Sequence, residues 1–333
     1  MKFLIIGLGS MGKRRIRNLQ YLGHKEIIGF EINEDRQKEA FEKYGVKSYS
    51  QISKSLEEKP DAIIISTPPD LHMKYAKIAI ENNIPFFTEA SVNIEEVEEV
   101  IQKLKDSNVI GLPSCTYRYH PIISKVKQIL DEKKIGKCLS VIHHSGQYLP
   151  DWHPWEDYTQ YYVSKKDTGA CREIVPFELV WLTWIFGEIK SVIGSKRKIT
   201  DLKTDIDDIY SVLLEFKNGI EGNLTVDVIS RFPYRQLKIL GSDGVITADW
   251  TERKVGVFTK DEGWNYENIE DGKIEEHYIH GEEPYITEMS NFVKLIKKEI
   301  EQPYTFEEDL KILRILNLIE SSSDSGQKQI ADF

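Results

Sequence analysis

"KFLIIGLGSMG", Lys2 to Gly12, sets the architecture of the first part of the chain. Four apolar residues run into a glycine, and two more glycines follow at the spacing G-x-G-x-x-G (Gly7, Gly9, Gly12). A buried strand, a tight turn and a helix start account for that order. Gly7 permits the turn, Gly9 lets a diphosphate approach the backbone, and Gly12 lets helix and strand pack closely. The helix start at Ser10 and Met11 supplies free N–H groups and positive potential suited to phosphate. Glu31 ends the next apolar run, "EIIGFE" (Glu26–Glu31), 19 residues after Gly12. A carboxylate there accepts hydrogen bonds from ribose hydroxyls and repels a 2′-phosphate, which favours NAD over NADP, although Arg36 could accommodate that phosphate.

Beyond Glu31 the alternation continues. "NEDRQKEAFEKYG" (Asn33–Gly45) reads as a helix stopped by glycine, and "DAIIIS" (Asp61–Ser66) as a buried strand. A helix over Leu71–Glu81 leads to the strand "IPFFTE" (Ile84–Glu89). Asn93 and Glu96 resemble a capping box ahead of Val97, Val100, Ile101 and Leu104 at helical spacing. Such order predicts an α/β fold over residues 1–120, a Rossmann doubly wound parallel sheet. After Pro121 come one helix (Ile122–Leu130), a strand at Lys137–His144, a long aromatic loop and an apolar helix. Alternating runs then follow, with turn signals at "KNG" (Lys217–Gly219) and "SDG" (Ser242–Gly244). Residues 121–333 therefore predict a second, α+β domain on a large, open, mostly antiparallel sheet. Helices at Pro284–Glu299 and from Thr305, where Thr305 and Glu308 form another capping pattern, close the chain.

Composition narrows the partners. The 333 residues suggest two domains, and 40% apolar content is enough to build their cores. A net charge of −10 argues against nucleic acid and anionic membrane surfaces. No apolar run is long enough to span a bilayer or form a signal-peptide core, and three widely spaced cysteines read as free thiols. The expectation is a cytoplasmic protein. No zinc-like Cys/His spacing occurs, and the adjacent His143 and His144 point to opposite faces of a strand, so no metal is expected.

Several stretches carry candidate chemistry. "STPPDLH" (Ser66–His72) leaves the fourth strand where a nicotinamide half would pass, which makes Thr67 and Pro68 candidate cofactor contacts beside Glu89, and His72 either such a contact or a satisfied histidine at a helix start. In "REIVPFELVWLTWIFG" (Arg172–Gly187), Glu178 stands in an apolar run. With Pro176 as first helical residue, Glu178 stabilises the helix N-terminus and, compatibly with that, is shielded by Ile174, Trp181 and Leu182, which would raise its pKa and suit a general base. Arg172 and Glu173 bring further charge to that helix start. The loop "QYLPDWHPWEDYTQYYVSKKDTG" (Gln147–Gly169) combines rings and hydrogen-bonding groups that suit a sugar. It offers Asp151, Trp152 and His153 as substrate contacts, and Tyr162, Lys165, Lys166 and His153 as acid/base candidates. "CTYRYHP" (Cys115–Pro121) adds Arg118 and His120 as substrate contacts, or serves as a hinge fixed by Pro121. Cys171 reads as a packing residue.

The chain resembles the glucose–fructose oxidoreductase / inositol dehydrogenase / MocA (Gfo/Idh/MocA) family through "GLGSMG", Glu31, "STPPDLH", "FFTEAS", "IGKCLSVIHHSGQ", "HPWEDY", "WIFG" and "EMSNFVKLI…PYTFEEDLKILRI". The resemblance implies NAD(P)-dependent oxidation or reduction of sugars, amino sugars or cyclitols. It also implies homo-oligomers, dimeric or tetrameric, paired through the C-terminal sheet. Where the family carries Glu-Lys-Pro, this chain has Glu89-Ala90-Ser91. Where it carries an acid and, four residues on, a histidine, this chain has Glu173 and Phe177. The resemblance thus implies a hydride-transfer enzyme whose proton is handled by Glu173, Glu178 or the 148–166 loop, with Arg172 orienting substrate. Two alternatives remain open: an NAD-binding sensor without redox turnover, and NAD-assisted elimination or glycosidase chemistry with no net redox.

Overall fold

The computed structural model describes residues 1–152, 156–270, 272–275 and 281–333. They form two compact units, Met1–Thr116 with Tyr285–Leu310, and Tyr117–Pro284 with Lys311–Phe333. A single division at residue 120 is therefore corrected: the segment from Tyr285 to Leu310 returns to the first unit.

The first unit alternates β1 (Phe3–Ile6), α1 (Ser10–Tyr21), β2 (Ile27–Phe30), α2 (Glu34–Tyr44), β3 (Lys47–Tyr49), α3 (Ile52–Glu57), β4 (Ala62–Ile65), α4 (His72–Glu81), β5 (Phe86–Thr88), α5 (Ile94–Lys105) and β6 (Gly111–Pro113). Among the described residues the sheet order is β3-β2-β1-β4-β5-β6, with parallel pairs throughout. The order reverses between β1 and β4, and a crevice for ligands opens outside the carboxyl ends of strands at such a point. Every residue of β1 and β4 is buried, as expected of parallel strands covered on both faces. Asn33 and Asn93 cap α2 and α5 by accepting from the backbone of Arg36 and Glu96, and Gly45 ends α2 in the left-handed region.

The second unit contains α6 (Pro121–Asp131), β7 (Cys138–Tyr148), α7 (Cys171–Phe186), β8 (Ile189–Arg197), β9 (Ile209–Phe216), β10 (Glu221–Asp227), β11 (Ile229–Gly241), β12 (Gly244–Asp249), β13 (Lys254–Thr259) and β14 (Gly263–Asn268). Helices α8 (Glu283–Ile296) and α9 (Phe306–Ser325) and strand β15 (Gln329–Ile330) complete the chain. Among the described residues the second sheet runs β14-β13-β12-β11-β7-β10-β9-β8-β15. Its β7–β10 pair is parallel and its other pairs are antiparallel. In the first unit's return segment, Phe292 and Phe306 pack on Phe87 and Phe86, burial that draws this late segment back. Thr305 and Glu308 close a reciprocal capping box at the start of α9.

One helix start differs from expectation. Helix α7 begins at Cys171, so Pro176 lies inside it and Glu178 near its middle. The amides of Arg172 and Glu173 bond three residues back, to Gly169 and Ala170, which winds a tight turn ahead of Pro176. Proline then forfeits one helical hydrogen bond, and the burial of Val175, Leu179, Val180 and Leu182 outweighs that loss.

Candidate functional site

In the first unit the glycine loop is shaped by close approach. Gly7 has φ +89°, and a Cβ on Gly12 would lie 1.9 Å from the Gly7 carbonyl oxygen. A Cβ on Gly9 would meet only the Arg36 guanidinium, at 3.6 Å, so that stretch of backbone faces open space. With the N-terminus of α1 at Ser10 and Met11, this cradle fits a dinucleotide diphosphate. Glu31, 6% exposed, lashes the cradle together. Its Oε2 accepts from Leu8 N at 2.9 Å, and its Oε1 from Ile32 N and Asn33 N at 2.9 and 3.0 Å.

At the ends of β4 and β5 the groups are held tightly. His72 is buried, with Nε2 2.7 Å from the Thr67 carbonyl oxygen, so it fixes the turn through Thr67 and Pro68. Burial lowers its pKa. Glu89 is gripped by Arg15, with Nε on Oε1 at 2.7 Å and Nη2 on Oε2 at 2.9 Å. Ser66 adds a 3.3 Å bond to Oε1. Arg15 also reaches Glu288, at 2.8 Å, and Glu288 accepts in addition from Ser114 Oγ, Cys115 N and Thr116 Oγ1. Burial raises the Glu288 carboxyl, with Arg15 opposing and the nearby Glu89 charge reinforcing. Neither Arg15 nor Glu288 carries a sequence signal for this role, since their partnership spans 273 residues.

In the second unit Glu178 is fully buried and held from three directions. Arg235 Nη2 donates to Oε1 at 2.7 Å, and His143 Nε2 and Trp181 Nε1 reach Oε2 at 2.8 and 2.7 Å. A raised pKa does not survive this setting. Burial alone would raise it, but Arg235, His143 and these hydrogen bonds hold the carboxyl well below the usual range. The opposite nitrogen of His143 lies 3.0 Å from the Gln236 carbonyl oxygen. Glu178 is therefore a buried ion-pair centre rather than a helix cap.

The half-exposed face of α7 presents Arg172, Glu173, Ile174 and Phe177. Tyr162 donates to Glu173 Oε1 at 3.2 Å, which unites two of the sequence candidates. Arg172 turns away, to Glu320 at 2.8 Å and the Asp167 carbonyl at 2.7 Å. Lys165, Lys166 and Asp151 are exposed, and Trp152 is half-buried. His153 lies outside the described residues. Arg118 makes a long 3.4 Å bond to the Val180 carbonyl. His120 is buried, caps α6 by accepting from Ile122 N, and has its pKa pushed down to about 3 by burial and by Arg235. The Cys171 thiol is buried against the Val226 carbonyl and raised by burial, as a packing residue should be. Sequence reasoning missed Tyr117 and Arg235. The Arg235 Nη1 donates to Tyr117 Oη at 2.7 Å, and the Tyr117 ring packs on Phe177 with centroids 5.9 Å apart.

Comparison with known proteins covers both units. Residues 1–113 match the family model described as "Oxidoreductase family, NAD-binding Rossmann fold", and residues 123–247 the "GFO/IDH/MocA C-terminal domain". The myo-inositol 2-dehydrogenase of Thermotoga maritima is 24% identical, over 99% of this chain and 98% of that protein. The scyllo-inositol 2-dehydrogenase (NAD(+)) of Bacillus subtilis is 22% identical, over 88% of this chain and 85% of that protein. A levoglucosan dehydrogenase solved in complex with NADH superposes with a TM-score of 0.86 at 19% identity, covering 99% of each chain.

Proposed function

The chain belongs to the GFO/IDH/MocA family of NAD(P)-dependent oxidoreductases, and on that premise we propose that it oxidises or reduces a hydroxyl-bearing carbon of a sugar, amino sugar or cyclitol with NAD. The glycine cradle with Glu31 at its edge carries this reading. When bound, the nicotinamide supplies the hydride acceptor or donor. Gly7, Gly9, Ser10, Met11 and Gly12 hold the diphosphate, and Thr67, Pro68 and the Arg15-braced Glu89 border the nicotinamide half. Glu31 disfavours a 2′-phosphate by its charge. Glu173, steadied by Tyr162, orients substrate hydroxyls, and Asp151, Trp152 and Lys166 border the same loop. The inositol and levoglucosan specificities in the relatives' names support a polyol substrate.

The test is nicotinamide absorbance of the purified protein with NAD and, in turn, myo-inositol, scyllo-inositol and levoglucosan. A rise that is weakened by Glu173→Gln is expected, with NADH bound more tightly than NADPH. Protein that binds NADH yet turns over none of a broad sugar and cyclitol panel would instead support a sensor without redox turnover, a reading favoured by Ala90 and Phe177, which cannot exchange protons. Self-association belongs to the same proposal. Ile142, Leu213 and Ile193, each 44–51% exposed, lie in one row across the outer face of the second sheet, joined through Asn223. That row offers a continuous surface to a second copy.

A further inference from the structure

We propose that Tyr117 is the residue that exchanges the substrate's hydroxyl proton, with Arg235 and Glu178 as positioning residues behind it. The inference rests on the oxidoreductase reading and supplies the acid/base that Ala90 and Phe177 do not.

Hydrogen-bond direction comes first. A guanidinium has donors only, so at the 2.7 Å contact Tyr117 Oη accepts from Arg235 and its own proton points elsewhere. The Arg235 guanidinium carbon also lies 4.5 Å from the Tyr117 ring centroid. It cannot swing away. Its Nη2 is bonded to Glu178 Oε1 at 2.7 Å and Ser145 Oγ at 3.1 Å, and its Nε reaches Ser145 Oγ at 3.3 Å. Glu178 is held in turn by His143 and Trp181.

Charge follows the same geometry. Among the described residues, Arg235 from β11 bonds the phenol, Glu178 from α7 lies behind that arginine, His143 from β7 behind Glu178, and His120 from the phenol's own segment beside the ring. The Glu178 carboxylate is shared among Arg235, His143 and Trp181, while Arg235 alone of these reaches the phenol oxygen. Arg235 acts in the same sense on the neighbouring His120, whose protonation it opposes. A cation bonded to the phenol oxygen favours phenolate over phenol. Arg235 is 7% exposed while Tyr117 is half-exposed, so the charge is buried and the tyrosine beside it keeps some access to solvent.

Position completes the case. The Tyr117 ring packs on Phe177, and Phe177 lies one helical turn beyond Glu173, on the same side of α7. In the oxidative direction, the alcohol's O–H proton passes to the Tyr117 phenolate oxygen. A bound oxidised nicotinamide would accept the hydride of the alcohol's C–H bond, so that the step would leave a ketone, a neutral phenol and reduced cofactor. The phenol then returns its proton to water.

The test needs no substrate at first. A near-ultraviolet difference titration of the full chain, wild type minus Tyr117→Phe, follows the ionisation of this one phenol. The expected step lies about one pH unit or more below the ordinary tyrosine value near 10. In Arg235→Lys it moves upward, because a point charge cannot bridge Tyr117, Ser145 and Glu178 together. A step at or above the ordinary value overturns the proposal. With a polyol that the wild type oxidises, Tyr117→Phe lowers kcat by about 10²–10⁴-fold and leaves NADH affinity in place. Retained kcat also overturns it. A low-lying step in a protein that turns over no polyol would overturn the oxidoreductase reading instead, so the two failures are distinguishable.

Discussion

Glu178 shows how far a single buried charge depends on its partners. Shielding by apolar neighbours predicts a raised pKa, and the shielding is real, but Arg235, His143 and Trp181 reverse the outcome. Glu178→Gln would leave Arg235 and His143 facing an amide, and breaking a buried pair in this way costs about 3–5 kcal/mol. Urea unfolding should report that loss as a lower midpoint, and an unchanged midpoint would show the cluster to be energetically idle. His120 gives the pH prediction. Its pKa falls from 6.5 to about 3 in the fold, so between those values the unfolded chain binds a proton that the folded chain refuses. The stability it contributes is complete above pH 6.5 and is lost as pH falls toward 3. Asparagine caps a helix well without titrating. His120→Asn should therefore flatten the acid side of the stability–pH curve, measured by denaturant unfolding across this window; parallel curves would refute the assignment.

The β1–loop–α1 element separates two uses of glycine. A Cβ on Gly12 would lie 1.9 Å from the Gly7 carbonyl, a collision that only backbone movement relieves. Gly12→Ala should lower thermal stability and abolish NADH binding together. A Cβ on Gly9 would meet nothing nearer than a flexible arginine tip at 3.6 Å. Gly9→Ala should keep its melting temperature and lose NADH affinity alone, as followed by titration of cofactor fluorescence; equal behaviour of the two variants would contradict the close-approach argument. Helix α7 starts earlier than its local sequence signal predicts. Proline at a first helical position is a sound local expectation, but Gly169 and Ala170 accept from the next turn and begin the helix earlier.

For the whole molecule, the exposed row on the second sheet predicts association. Placing a carboxylate at Leu213, between Asn223 and Ile193 in that row, would oppose a second copy. Leu213→Glu should shift the mass seen by light scattering toward the monomer while NADH binding persists; an unchanged mass would remove this face from consideration. The parallel sheet, its glycine cradle, the cap at Asn93 and the capping box at Thr305 were all legible in the amino-acid order, and so was the opposed facing of His143 and His144. These features depend on spacings of two to four residues along one chain, where periodicity and hydrogen-bond reach are local. The return of Tyr285–Leu310 to the first unit, the sharing of Arg15 between Glu89 and Glu288, and the hold of Arg235 on Glu178 and Tyr117 belong to the folded molecule alone. A buried charge is neutralised by whatever lies about 3 Å away, and over separations of 57 to 273 residues only the packed chain brings such partners within reach.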